Sequence, residues 1–135
     1  MARRWLVSLI CLLLGVLTMV ISGPWAGSVV LVLAVLSSPL VFPRSLSAAE
    51  AQRRSARDGK GIVYWRPGCP FCLRMRMVLF LRGRRLHWVD IWKDPAGAAA
   101  VREVAGGNET VPTVVLNGEP HVNPAPGWLR AAVRA

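Results

Sequence analysis

Two cysteines, Cys69 and Cys72, are the residues of this sequence with the clearest chemistry. Two residues separate them, a short apolar run at residues 61–65 precedes them, and an amphipathic helical pattern follows them. A dithiol at the point where a strand passes into a helix is the arrangement found in thiol–disulfide redox centres. The spacing therefore predicts a redox site at Cys69 and Cys72.

The elements that must position this dithiol are predicted from apolar periodicity and turn residues. The predicted strands span residues 62–65, 86–91, 113–116 and 119–122, and the predicted helices span residues 70–82, 95–105 and 128–134. Asn117 and Gly118 favour a tight hairpin between the last two strands. The order βαβαββα predicts a mixed sheet with helices on both faces, so residues 61–135 are expected to form one α/β domain.

The first third of the chain is predicted to lie in a membrane. No Asp, Glu, Lys, Arg or His occurs from Trp5 to Phe42. A helix of this length would measure roughly 57 Å, against about 30 Å for a bilayer core. We therefore expect two transmembrane helices within residues 1–43, with spans at 5–21 and 25–42. A cleaved signal peptide or a single anchor is the alternative.

Arginines flank the apolar run on both sides, whereas the loop between the two predicted spans is uncharged. The positive-inside rule then predicts a multi-pass protein of the cell membrane, with both termini and the redox domain in the cytoplasm. Residues 44–60, rich in alanine and arginine, are predicted to be a basic juxtamembrane linker.

The net charge of +10 predicts acidic partners. Nucleic acid is excluded as a partner, because no basic stripe is interleaved with aromatic residues and no nucleic-acid-binding motif occurs. The charge suits anionic membrane lipid and an acidic thiol or protein substrate. Three cysteines are too few for the disulfide framework of a small secreted protein.

The dithiol and a second motif together resemble the glutaredoxin branch of the thioredoxin fold. Residues 64–72, YWRPGCPFC, are similar to the glutaredoxin signature Y-S-K-x-x-C-P-Y-C, and residues 110–113, TVPT, resemble the family's T-V-P-x loop, whose proline is cis. Residues 107–114, GNETVPTV, and the Asn-Pro pair at 123–124 more closely resemble actinobacterial mycoredoxins. The resemblance covers residues 61–124 and implies a thioredoxin-like domain preceded by two transmembrane helices.

The resemblance implies a membrane-anchored thiol–disulfide oxidoreductase that reduces protein mixed disulfides. Its co-substrate would be a low-molecular-weight thiol, mycothiol or glutathione, kept reduced by an NADPH-dependent reductase, with no bound cofactor. Cys69 would be an exposed nucleophile at a helix N-terminus, where free N–H groups and the helix dipole stabilise a thiolate. Cys72, one turn further on, would resolve the intermediate as a redox-active disulfide with Cys69.

The resemblance also implies a set of substrate-binding residues. Arg66 aligns with the lysine that precedes the family's dithiol, and its charge would attract a carboxylate on a thiol substrate. Val111 would offer its backbone to an extended substrate in strand-like hydrogen bonds, beside a cis Pro112 and Thr110. An ordinary trans proline at the start of a strand is the alternative for Pro112.

The chain departs from glutathione-using glutaredoxins after its last hairpin. Those proteins carry a G-G-x-D-D stretch whose acidic residue holds the glutamyl amine, whereas residues 122–126 read VNPAP. Mycothiol lacks a glutamyl amine, which fits this loss. Trp65 also stands where the family has a small residue.

Four other interpretations were weighed, two of them metal sites and two of them alternative functions. A zinc site would need two further ligands beside the dithiol, and His87 and His121 are the candidates, each expected instead to be a half-exposed strand residue. An iron–sulfur centre is disfavoured because the monothiol C-G-F-S pattern is absent, so no metal site is predicted. As alternative functions, the protein would be a dithiol electron donor coupled to thioredoxin reductase, or a non-catalytic adaptor on a membrane complex.

Overall fold

Two units make up the chain in the computed structural model, Met1–Pro43 and Arg44–Ala135. The structure describes the backbone of residues 2–36 and 44–133, and the side chains of residues 9–25, 27–32 and 44–133. The first unit contains two helices, α1 (Ala2–Ser22) and α2 (Pro24–Leu36), which pack against each other. Gly27 permits this contact, because a Cβ atom there would lie 2.6 Å from the Cβ atom of Met19.

The prediction of two transmembrane helices is wrong. None of the helices in the described part of the chain combines the length and the apolar character that crossing a bilayer requires. The 13 residues of α2 make about 20 Å of helix, and the uncharged part of α1, which begins after Arg3 and Arg4, makes about 27 Å; a bilayer core is about 30 Å thick. Residues 37–42 of the second expected span lie outside the described residues.

The predicted cellular location depended on the two expected spans and is wrong for the same reason. A multi-pass protein of the cell membrane, with both termini and the redox domain in the cytoplasm, was inferred only from the two expected helices and the arginines around them. With no spanning helix among the described residues, the positive-inside rule has nothing to orient, and the predicted location and fold class are corrected accordingly. The corrected fold class is an α/β thioredoxin-like domain preceded by N-terminal helices.

The second unit is a five-stranded sheet with helices on both faces. Its elements are β1 (Ser45–Leu46), α3 (Ala48–Asp58), β2 (Ile62–Trp65), α4 (Pro70–Leu79), a 3-10 helix (Phe80–Arg85), β3 (His87–Asp90), α5 (Pro95–Val104), β4 (Thr113–Leu116), β5 (Glu119–Val122) and α6 (Pro126–Ala132). The strand order is β1-β3-β2-β4-β5. The strands β1, β3 and β2 are parallel to one another, β4 is antiparallel to β2, and β5 is antiparallel to β4. From β2 onward this is the expected thioredoxin-like order βαβαββα.

The segment expected as a linker contains β1 and α3. Ser47 caps α3 by accepting a hydrogen bond from the backbone N–H of Glu50, and the helix ends at Gly59 in the left-handed conformation. The small side chains of Ala48 and Ala51 are buried in the core, and the Ala48 N–H donates to Asp94 at 2.7 Å. These contacts attach α3 to the domain.

Successive side chains along each strand point to opposite faces of the sheet, so the core is divided between the two faces. Ile62 and Tyr64 of β2 pack with residues of α3 and α5. Val63 of β2 packs on the other side with Met75 of α4 and Leu129 of α6. The parallel strands β2 and β3 thus end at one edge of a sheet covered on both faces, and the dithiol follows β2 directly at that edge.

A buried histidine links α3 to the sheet. His87 is 8 % exposed, and its Nε2 atom lies 3.1 Å from each carboxylate oxygen of Asp58, so the expectation of a half-exposed strand histidine is wrong. Desolvation raises the pKa of Asp58, but hydrogen bonds from His87 and from the Lys60 backbone outweigh it and lower the pKa to about 2. The charged form of Asp58 therefore stabilises the fold.

We expect the free energy of unfolding to fall as the pH is lowered from about 4 towards about 2. Unfolded Asp58 takes up its proton at its ordinary pKa of 3.8, whereas folded Asp58 resists protonation until about pH 2, so the contribution is present above pH 4 and lost below it. Urea denaturation of the wild type and Asp58→Asn at pH 5 and pH 3 measures this. The difference between the two proteins should be smaller at pH 3, and an equal difference at both pH values would contradict the assignment.

Candidate functional site

The dithiol lies at the N-terminus of α4, directly after β2. Cys69 is the N-cap residue, and its Sγ atom accepts a hydrogen bond from the Cys72 N–H at 3.4 Å. Gly68, at φ +76°, makes the turn that brings the chain from the strand into the helix, and Pro70 occupies the first turn. Both cysteines carry free thiols. The helix N-terminus thus points an N–H group at the Cys69 sulfur, as thiolate stabilisation requires.

The two thiols differ in exposure. Cys69 is 9 % exposed and Cys72 is 1 % exposed. Cys69 is more covered than the exposed nucleophile expected from the sequence, because the loop before β4 lies against it: its S–H donates to the Val111 carbonyl at 3.5 Å. Cys69 nevertheless lines an open groove, whereas Cys72 is not among the residues that line it.

A groove of about 750 Å³ opens over Cys69. Of the residues predicted to bind substrate, Arg66, Thr110 and Val111 line this groove, and Pro112 is buried directly behind Val111. The structure therefore brings the predicted residues together at one edge of the sheet. The guanidinium carbon of Arg66 lies 6.0 Å from the centre of the Trp92 ring, across the same groove.

The loop that carries Val111 is held on both sides. The peptide bond between Val111 and Pro112 is cis, which confirms that expectation. The Thr113 hydroxyl donates to the Thr110 carbonyl at 2.8 Å, and the Asn123 N–H donates to the Pro112 carbonyl at 2.8 Å. These bonds fix the backbone of the loop against the dithiol.

Several groove residues were missed by the sequence analysis. No substrate-binding role was predicted for Trp92, which is 63 % exposed and lines the groove, together with Asn108, Glu109 and Asn123. A signal for Trp92 was present: it follows β3, and the carboxyl ends of the parallel strands β2 and β3 lie at the same edge of the sheet. A signal for the other three was present in the motifs that resemble mycoredoxins, GNETVPTV at residues 107–114 and the Asn-Pro pair at 123–124.

A buried arginine lies behind the dithiol. Arg76 is 3 % exposed, and its guanidinium carbon lies 3.7 Å from the centre of the Trp65 ring and 4.3 Å from that of Trp88. Burial lowers the pKa of Arg76 to about 10, while electrostatic interactions with Cys72 and Asp90 oppose this decrease. The guanidinium is therefore protonated at neutral pH.

Cys72 is held as a neutral thiol. The pKa of Cys72 is raised to about 12, first by burial and then by hydrogen bonding to Cys69, whereas the Arg66 backbone and the charge of Arg76 act against the increase. Only a small fraction of Cys72 is ionised at neutral pH. It must lose its proton before it can act as a nucleophile.

The two histidines considered as metal ligands lie elsewhere. His87 pairs with Asp58, and the His121 ring lies 4.4 Å from that of Trp128. Across the described ranges 2–36 and 44–133, no cluster of three or more His, Cys, Asp or Glu side chains could hold a metal ion. The chemistry that this arrangement supports directly is thiol–disulfide exchange.

Comparison with known proteins agrees with this chemistry. The glutaredoxin family model matches residues 62–122, the stretch from β2 to β5 that contains the dithiol and the cis-proline loop. Two curated Mycobacterium tuberculosis proteins, from strains CDC 1551 / Oshkosh and ATCC 25618 / H37Rv, are provisionally named glutaredoxins; each is 36% identical over 70 residues, 51% of this chain and 83% of the relative. The chain therefore belongs to the glutaredoxin family and is a glutaredoxin-like thiol–disulfide oxidoreductase.

Proposed function

We propose that this glutaredoxin reduces mixed disulfides between proteins and a low-molecular-weight thiol, with Cys69 as the nucleophile and Cys72 as the resolving cysteine. Glutaredoxins typically use such a thiol as co-substrate and act on protein thiols and disulfides. The observation that carries the division of roles is the difference in position: Cys69 lines the groove and its sulfur accepts a hydrogen bond from the Cys72 N–H, whereas Cys72 is 1 % exposed.

The reaction proceeds by two thiol–disulfide exchanges. The Cys69 thiolate attacks the small-thiol sulfur of the mixed disulfide; a new S–S bond forms, and the protein thiolate leaves and takes up a proton. A second small-thiol thiolate then attacks the sulfur bound to Cys69, which releases the oxidised small disulfide and regenerates the Cys69 thiolate. Alternatively, Cys72 attacks Cys69, which releases the small thiol and leaves a disulfide between Cys69 and Cys72.

The groove supports mycothiol over glutathione as the small thiol. Glutathione carries an α-ammonium group that needs a carboxylate partner, but residues 122–126 contain none, and Glu109 at the groove is paired with Arg102. Asn108 and Asn123 offer neutral amides, and Trp92 offers a ring face. Amide groups and an aromatic face suit a hydroxyl-rich sugar thiol.

The polypeptide part of the substrate is expected to bind along Val111. An extended chain beside this residue would form strand-like hydrogen bonds with its backbone, next to the sulfur that attacks. The Cys69 S–H bond to the Val111 carbonyl supports this proposal, because it places the backbone of Val111 next to the attacking sulfur.

A coupled assay tests the proposal. The protein is assayed with three reducing systems. The first contains a mycothiol mixed disulfide, mycothiol and its NADPH-dependent reductase, the second contains the corresponding glutathione components, and the third contains thioredoxin reductase. NADPH consumption that is fastest with the mycothiol system is expected. NADPH consumption with thioredoxin reductase alone would instead assign the protein to the dithiol electron donors. The complete pair Cys69 and Cys72 is compatible with that function, and Cys72 would then be required for turnover.

Arg66 is expected to discriminate between small thiols. Replacing Arg66 with glutamine should raise KM for a glutathione mixed disulfide about tenfold, because a charge-assisted hydrogen bond to a carboxylate is lost, and should raise KM for a mycothiol mixed disulfide about threefold or less. Arg74→Gln, an exposed arginine of α4 outside the groove lining, is the matched control. Equal increases for both substrates would show that Arg66 does not bind a carboxylate.

A further inference from the structure

We propose that Arg76 is a positioning residue for the dithiol step: its buried guanidinium stabilises the thiolate of Cys72 while that cysteine attacks the disulfide on Cys69. The inference rests on the proposed function, because it concerns the route in which Cys72 releases the small thiol. The experiment that tests it includes a Cys72→Ser protein, whose turnover tests the proposed function independently.

The geometry of α4 brings the two groups together. Arg76 lies four residues after Cys72, and residues at this spacing share one face of a helix. The guanidinium is stacked between the indoles of Trp65 and Trp88, at 3.7 and 4.3 Å from the ring centres. A planar cation held between two aromatic faces has little freedom to turn away.

The burial of the Arg76 guanidinium is unusual for an arginine on an amphipathic helix. An arginine on an amphipathic helix normally extends its guanidinium into solvent, but Arg76 is 3 % exposed. Burial of a charge costs free energy, and an apolar side chain of similar volume would fill the same space. The buried Cys72 thiol, one helical turn before Arg76, is a group whose charged form this guanidinium favours electrostatically.

The other charged groups around Cys72 do not cancel this effect. From β3, Asp90 is buried and faces the same region, but its Oδ2 atom lies 3.6 Å from the Lys93 ammonium. From the turn before α4, the Arg66 backbone also favours the Cys72 thiolate, whereas Cys69 disfavours it. Among these groups Arg76 supplies the buried positive charge on the helix of Cys72.

The step itself balances without an added oxidant or reductant. The Cys72 thiol gives its proton to water, and the thiolate attacks the Cys69 sulfur. The bond between the two cysteine sulfurs forms as the bond between Cys69 and the small thiol breaks. The small thiol leaves as a thiolate and takes up a proton, so one disulfide replaces another. Arg76 remains protonated throughout and acts by its charge, which is strong in a site of low dielectric constant.

A single-turnover experiment on the full-length protein tests the inference. The mixed disulfide of Cys69 with mycothiol is prepared, and the release of mycothiol by Cys72 is followed. Arg76→Met is expected to slow this release about tenfold or more, because one pKa unit is a tenfold change in thiolate. Arg76→Lys keeps the charge and should recover most of the rate, and Arg74→Met on the same helix is the matched control.

The same substitution in the Cys72→Ser background separates this role from a structural one. Cys72 cannot release mycothiol in this background, so the turnover of the mixed disulfide through Cys69 and a second mycothiol is measured instead. The fall in this turnover caused by Arg76→Met should be less than about twofold. An equal fall in both backgrounds, or an unchanged release rate in the wild-type background, would overturn the inference. If Arg76→Met does not fold, Arg76→Gln against Arg76→Lys gives the same comparison. A Cys72→Ser protein without turnover would instead reject the proposed function.

Discussion

Replacing Cys69 with serine is expected to lower the turnover of mixed disulfides at least about a thousandfold, because the nucleophile of the first exchange is lost. A serine hydroxyl does not attack a disulfide sulfur at neutral pH. Cys72 cannot take over, because it is 1 % exposed and its pKa of about 12 keeps it neutral. The coupled NADPH assay with a mycothiol mixed disulfide measures the loss.

The matched variant is Cys72→Ser, which makes the same replacement of sulfur by oxygen one helical turn away. It should still reduce the mixed disulfide through Cys69 and a second small thiol, but should no longer reduce a substrate that requires an internal disulfide. Far-ultraviolet circular dichroism of both variants checks that they fold. Activity in Cys69→Ser together with inactivity in Cys72→Ser would mean that the two roles are exchanged.

The part of the fold that the sequence predicts well is the part encoded by local signals. The hairpin between β4 and β5 follows from Asn117 and Gly118, which adopt the positive φ angles of 52° and 84° that a tight turn needs. The start of α4 follows from the cysteine and Pro70 at its N-terminus. The cis peptide bond before Pro112 followed from the family resemblance. The approach of this loop to Cys69 was not predicted, because no local rule connects residues so distant in sequence.

The features that were missed depend on contacts between distant residues. The strand β1 has two residues and exists through its pairing with β3. The arginine-rich sequence of α3 resembles a linker, and its attachment depends on two buried alanines and on the bond from Ala48 to Asp94. Arg76 is buried only because β2 and β3 supply an indole on each side of it.

Trp88 is expected to be the side chain with one of the largest effects on stability. Replacing it with alanine should lower the free energy of unfolding by about 3–5 kcal/mol, because truncation of a buried tryptophan leaves a cavity. The ring is 1 % exposed, its Nε1–H donates to the Gly83 carbonyl at 2.7 Å, and it covers the Arg76 guanidinium. Truncation would remove a donor from the Gly83 carbonyl, which also accepts from the Leu86 N–H at 3.3 Å, and would leave a buried charge without one of the two rings over which it lies.

Urea denaturation of the full-length protein, followed by far-ultraviolet circular dichroism, measures this effect. Trp92→Ala is the matched control: the same change at a tryptophan that is 63 % exposed in the groove should alter the free energy of unfolding by about 0.5 kcal/mol or less. Trp88→Phe keeps an aromatic ring but loses the hydrogen bond to Gly83, and should fall between the two. Equal losses for Trp88→Ala and Trp92→Ala would contradict the burial of Trp88. A large loss confined to Trp88 would show that the indole covering Arg76 is also a principal support of the sheet.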